Sequence, residues 1–201
     1  MSTPKRPTKF VVLVYRMPAK PTAGRVAVWR LLKKAGAVYL QDSVCVFPDL
    51  PRIRRELQPV LERIDEKQGS FHLLPLRSLP AVEEDKVVAL FRDQTSKHYL
   101  EIVEDCEVNF TKEIEFEHFR ANYTYEEAEE IRMEFEKLGT WFERVRERDW
   151  FDAPHRRDAE RWLAKCERLL EDFEAKVFEV LGTGDESAQA TTLRVVARES
   201  R

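Results

Sequence analysis

The sequence predicts an α+β protein, on three observations. Over residues 1–80, short apolar runs and amphipathic stretches alternate in the order strand, helix, strand, strand, helix, strand. From Pro80 the apolar period becomes helical and stays so to about residue 181. Charge divides at the same place: residues 1–80 hold 15 Lys/Arg against 6 Asp/Glu, and residues 81–181 hold 16 against 28. The formal net charge of −3 over 201 residues hides this split. A hydrophobic content of 43% is enough for a core, and 35% charged residues calls for long solvated helices.

The first strand is Phe10-Val11-Val12-Leu13-Val14-Tyr15, a β-branched run of the kind buried at a sheet centre, stopped by Pro18. Thr22 is placed to cap a helix reaching Ala35, and Gly36 to end it in the left-handed conformation. At 100° per residue Val28, Leu31, Leu32 and Ala35 share one face, Arg30, Lys33 and Lys34 fall opposite, and Trp29 stands on the border. Residues 37–41 and 44–47 flank Asp42-Ser43 at hairpin spacing. Asp49 is placed to cap a second helix with Pro51 in its first turn. That helix buries Ile53, Leu57, Val60, Leu61 and Ile64, kinks at Pro59 and ends at Gly69. A last strand runs through Phe71, Leu73 and Leu74-Pro75-Leu76, with Pro75 suiting an edge or a bulge. This order is the split βαβ, or ferredoxin-like βαββαβ, unit. Its core is thin for its size, so it should lean on the rest of the chain or on a second copy.

Beyond it, Val87, Val88, Phe91, Tyr99, Ile102 and Cys106 fit one helix over about 82–106, and 107–123 reads as short helix and loop. Thr124 opens a capping box with Glu127 and a helix striped by Ile131, Phe135, Leu138, Phe142 and Val145. Asp152-Ala153-Pro154 should end it and open the next, striped by Trp162, Cys166, Leu169, Phe173 and Val177, the two forming an antiparallel helical hairpin. Gly182 should stop the last helix. The expected domains are a basic unit over 1–80, an acidic helical region over 81–181 and a flexible tail over 182–201.

Function classes narrow quickly. No apolar run reaches a membrane span, and the N-terminus lacks an apolar signal core, so the expected compartment is the cytoplasm, with no membrane partner. Cys45, Cys106 and Cys166 are odd in number and widely spaced, which fits core thiols better than a disulfide framework or a zinc motif. No phosphate-cradling glycine loop, nucleophile elbow or His-Glu-x-x-His is present, and the four histidines are scattered. No catalytic residue, metal or cofactor is expected. A basic half points to a polyanion, or to internal neutralisation by the acidic half. Two groupings could serve a polyanion. Arg16, Lys20, Thr22 and Arg25 gather where the first strand meets the first helix, whose N-terminal N–H groups and dipole favour a phosphate or other oxyanion; pairing of Arg16 and Arg25 with Asp42 or Asp49 is the plain alternative. Arg30, Lys33 and Lys34, with Arg52, Arg54 and Arg55, are the candidate nucleic-acid-binding residues. The second trio opposes the dipole of its own helix, a cost that placing charge for a partner would explain.

Three stretches carry a resemblance: Tyr15-Arg16-Met17-Pro18, then residues 25–33 (Arg25-Val26-Ala27-Val28-Trp29-Arg30-Leu31-Leu32-Lys33), then Gly36-Ala37-Val38-Tyr39-Leu40-Gln41-Asp42-Ser43-Val44. Together they resemble the N-terminal domain of the ChrB family of chromate-resistance proteins, and Leu138-Gly139-Thr140-Trp141-Phe142, Arg148-Asp149-Trp150-Phe151 and Cys166 resemble that family's helical part. The resemblance covers about residues 10–181. It implies a cytoplasmic regulator of a chromate-efflux operon that binds double-stranded DNA and responds to chromate or a related oxyanion. Long family members continue into a second domain, and Cys45 stands where a bulky aromatic is expected. The first unit also looks like the middle domain of PaaX-type repressors and the small CRISPR spacer-acquisition endonuclease. In that nuclease an acidic residue after the first strand serves metal-dependent cleavage; here the position holds Arg16, which cannot ligate Mg²⁺.

The leading expectation is therefore a homodimeric DNA-binding regulator, using Arg16, Lys20, Arg25, Arg30, Lys33 and Lys34. A non-enzymatic protein-interaction module comes second and a metal-dependent nuclease last. No helix-turn-helix precedes the first strand, where only nine residues stand.

Overall fold

The computed structural model describes residues 9–199, with side chains to Gly182. The chain divides into two units, Met1–Thr95 with Arg148–Ala153, and Ser96–Glu147 with Pro154–Arg201. The first unit contains β1 (Phe10–Arg16), α1 (Thr22–Lys34), β2 (Val38–Gln41), β3 (Val44–Pro48), α2 (Pro51–Glu66), β4 (Ser70–Leu76) and the first part of α3 (Ala81–Glu104). The strands form one antiparallel sheet in the order β2-β3-β1-β4, with Phe10 facing Pro48 on one side and Leu76 on the other. β1 is thus central and β4 an edge, where Pro75's missing N–H is tolerated.

Both faces of β1 are covered, which is why its sequence is apolar throughout. Val11 and Leu13 point to a core closed by Val28 and Leu32 of α1, Ala35 just after it, and Ile53, Leu57, Val60 and Ile64 of α2. Phe10 and Val12 point the other way, to Val88 and Phe91 of α3 and to Phe151. The rings of Phe10, Phe91 and Phe151 lie 5.3–6.3 Å apart, and Trp150 meets Phe91 edge-on at 5.7 Å. The thin βαββαβ core is therefore completed from within its own chain.

The expected helix ends need correction. Thr22 does not cap α1: Pro21 holds the cap position in an extended conformation, which its ring favours, and Thr22 is the first helical residue. Gly36 does end it, at φ +82°. Asp49 does not cap α2 either; Leu50 holds that position, and the Asp49 carboxylate instead takes both arms of Arg54, a stronger interaction than one cap bond. α2 continues through exposed Pro59, and Gln68, at φ +57°, makes the left-handed turn one residue before Gly69. Gly69 is required for a different reason: a Cβ there would stand 2.7 Å from the Arg16 carbonyl oxygen.

The second unit is helical: the remainder of α3, a π-helical turn (Asp105–Phe110), α4 (Thr111–Arg120), α5 (Tyr125–Arg146) and α6 (Arg156–Glu199). The expected helix end at 106 and loop after it are replaced by the π turn and α4, because Cys106, Phe110 and Ile114 are buried in succession. Thr124 caps α5, its Oγ1 accepting from the Glu127 N–H at 3.2 Å. α5 stops at Arg146 and not at Asp152, since Arg148–Ala153 belong to the first unit. α5 and α6 pack together, with Arg132 ion-paired to Glu174 across them. Gly182 does not stop α6, which runs to Glu199. Of the expected tail, the side chains of 183–201 lie outside the described residues.

Candidate nucleic-acid interface

Antiparallel pairing decides which cations meet. β1 delivers the chain to α1 at its Arg16 end, and β3 delivers it to α2 at its Pro48 end, opposite Phe10. α1 therefore runs back toward the end at which α2 begins. The C-terminal turn of α1, with Arg30, Lys33 and Lys34, and the first turn of α2, with Arg52, Arg54 and Arg55, share one end of the unit. Gly24, in the first turn of α1, accordingly stands beside Lys67, which follows α2.

The topology does not bring all the predicted residues together. Arg16, Lys20, Thr22 and Arg25 surround the N-terminus of α1, about 20 Å along a 13-residue helix from Lys34. All four are exposed, and among the described residues Arg16, Lys20 and Arg25 make no ion pair. Pairing of Arg16 or Arg25 with Asp42 or Asp49 is absent there, and Asp49 is committed to Arg54 at 2.6 and 2.9 Å. Nearby, the Tyr15 and Tyr39 hydroxyls share a 3.3 Å hydrogen bond. Burial raises both phenols above the ordinary tyrosine range; for Tyr15, the Arg25 charge works against that rise and Asp42 with it.

At the opposite end the six cations differ. Arg54 is held by Asp49, whose carboxyl that hydrogen bond keeps below the usual aspartate range. Arg52 is paired with Glu56 at 2.7 Å. Arg30, Lys33, Lys34 and Arg55 are exposed and make no ion pair among the described residues. The Lys33 ammonium lies 5.5 Å over the Tyr39 ring and 3.5 Å from Gln94 Oε1. Trp29, 49% exposed, continues the same helix face with Val26. A surface of unpaired cations beside an exposed indole suits a phosphate backbone and an adjacent base or sugar. Lys33 and Lys34 also complement the dipole at the C-terminus of α1.

One contributor escaped sequence reasoning. Arg148 donates through Nη1 to the carbonyls of Lys33 and Lys34, at 3.2 and 3.5 Å, and so closes the end of α1 from 115 residues away. Asp149 beside it is buried, accepting from the Ala153 N–H at 2.8 Å. Only the family-like run Arg148-Asp149-Trp150-Phe151 marked this segment, and no local period could say where it docks.

A family model described as "Protein ChrB, N-terminal" matches residues 25–184. The chain belongs to the ChrB N-terminal family. It is 24% identical over 178 residues to Protein ChrB of Cupriavidus metallidurans, covering 89% of this chain and 49% of that relative. This member of the ChrB N-terminal family thus spans about half the relative's length. The family match takes in Arg25, Arg30, Lys33, Lys34 and the α2 trio together with Arg148-Asp149-Trp150-Phe151, and begins after Arg16, Lys20 and Thr22.

Proposed function

We propose that this chain is a DNA-binding regulatory protein of a chromate-resistance operon, working in the cytoplasm as a homodimer without catalysis. In this reading the first unit is a ferredoxin-like fold and α5–α6 an antiparallel hairpin. The observation that carries it is the gathering of Arg30, Lys33, Lys34 and Arg55, unpaired among the described residues, at one end of a basic unit. The chromate association is supported by ChrB family membership alone. Arg16, Lys20, Thr22 and Arg25 stand apart from the DNA end and are the candidate seat of an oxyanion effector. A nuclease is disfavoured by Arg16, a cation where the nuclease-like relatives carry a carboxylate.

The test is equilibrium binding of the full chain to duplex DNA across a salt series. Log K should fall by about 0.9 per phosphate neutralised. Replacing Arg30, Lys33 and Lys34 together by Ala should weaken binding to all sequences and flatten the slope by up to about three units. Val28, Leu32 and Ala35 are buried on the other face of α1, so circular dichroism should be unchanged. A folded triple variant that binds as tightly, with the same slope, removes this surface from consideration. A second reading, a protein-binding module, is favoured by Phe119 and Phe178 of the helical unit, which are 86% and 80% exposed. It predicts that binding partners are lost on Phe119→Ser with DNA affinity intact.

A further inference from the structure

We propose that Cys106 and Cys166 are a redox pair, which oxidation by a peroxide joins into a disulfide tying the π-helical turn to α6. Both are free thiols with no exposed surface. They stand 60 positions apart, yet Cys166 Sγ donates to the Cys106 carbonyl at 3.8 Å. The π turn prepares this meeting. Its wider hydrogen-bond ladder leaves the Cys106 carbonyl accepting from the Thr111 N–H and from Thr111 Oγ1 at 2.8 Å, besides Cys166. Such interruptions of a helix are frequent at functional sites.

The two sulfurs are not equivalent. The neighbouring Cys106 thiol draws Cys166 below the ordinary thiol range, against its burial, while Cys166 and burial push Cys106 up. Cys166 is then the attacking thiolate and Cys106 the resolving thiol. The Cys166 sulfur attacks one peroxide oxygen, the O–O bond breaks, and the departing hydroxide leaves as water with a proton from solvent. The Cys106 sulfur next attacks the resulting sulfenic sulfur, and the sulfenic oxygen leaves as a second water, carrying the Cys106 proton. One peroxide is reduced as two thiols are oxidised. Because both sulfurs are buried, local opening of the π turn sets the rate.

The experiment treats the full chain with hydrogen peroxide at neutral pH, removes the peroxide, unfolds the chain, alkylates the remaining thiols and maps the digested peptides by mass spectrometry. Free thiols should fall from three to one, with a Cys106–Cys166 linked peptide and an alkylated Cys45. Dithiothreitol should restore all three. The Cys45→Ser chain, which retains the pair, should give the same link. Three surviving thiols, separate sulfinic acids at Cys106 or Cys166 without a link, or links through Cys45 would each overturn the proposal.

Discussion

Gly36 lies against the indole of Trp150: a Cβ added to Gly36 would stand 2.7 Å from Cη2 of that ring. The glycine is also at φ +82°, where only glycine is unstrained. Two separate demands therefore fall on one position, one from the end of α1 and one from a tryptophan 114 residues later.

Gly36→Ala should destabilise the chain by roughly 2–3 kcal/mol, combining backbone strain with the steric clash. Adding Trp150→Phe, which removes the atoms in the closest clash, should lower the cost of Gly36→Ala, leaving the backbone part and a 3.3 Å approach to Arg148 Cδ. Denaturant melts of the two single variants and the double variant check this through their coupling. Strict additivity would mean that the ring and the glycine do not meet.

Asp49→Asn should release Arg54 to the proposed DNA end. Duplex affinity should rise severalfold at low salt, and the salt slope should steepen by up to about one unit. Titration at two ionic strengths decides it; an unchanged or weaker affinity would mean that Arg54 serves only α2.

The same pair gives a pH dependence of known sign. Because the folded Asp49 carboxyl titrates below its unfolded value, its contribution is present above the ordinary aspartate range and is lost as pH falls through the folded value. The Arg54 side chain is half exposed, so the pair is screened by solvent and the effect should be about 0.5 kcal/mol. Melts of wild type and Asp49→Asn should differ at neutral pH and converge in acid.

Cys45 is buried between the sheet and its two helices, where burial pushes its thiol up to about 12. It should resist alkylation by iodoacetamide in the native chain at pH 8 and react at once on unfolding. Native-state reaction at the rate of an exposed cysteine would contradict this packing.

The proposed homodimer is testable at the sheet edge. β4 pairs with β1 on one side only, and Leu74 on it is 48% exposed. Sedimentation equilibrium at micromolar concentration should give twice 23.7 kDa, and Leu74→Lys should shift it toward the monomer. A monomer throughout would discard the edge as a dimer contact.

The helices and strands were legible because their signals are local. A β-branched run, a 3.6-residue stripe and a glycine after the last turn each act within a few residues, and β1, α1 and α2 fall where those signals place them. The caps were misjudged at Thr22 and Asp49 because a short polar side chain has several partners within reach. Asp49 found a guanidinium five residues ahead, and a charged fork outcompetes an N–H. The break in α5 was misplaced because Asp152 and Pro154 signal an ending without saying that the chain has already left the helix at Arg146.

By itself the sequence determined the α+β composition, the charge division, the amphipathic face of each first-unit helix and the resemblance on which the functional reading rests. Only the tertiary structure decided that Arg30 to Lys34 and Arg52 to Arg55 share one end while Arg16 to Arg25 occupy the other. It alone placed Arg148 on the last carbonyls of α1, and Cys166 on the carbonyl of Cys106. The physical reason is common to these cases. Periodicity fixes which side of an element faces the core, whereas strand direction and the closure of long loops fix which elements meet, and nothing within one turn of either partner encodes that.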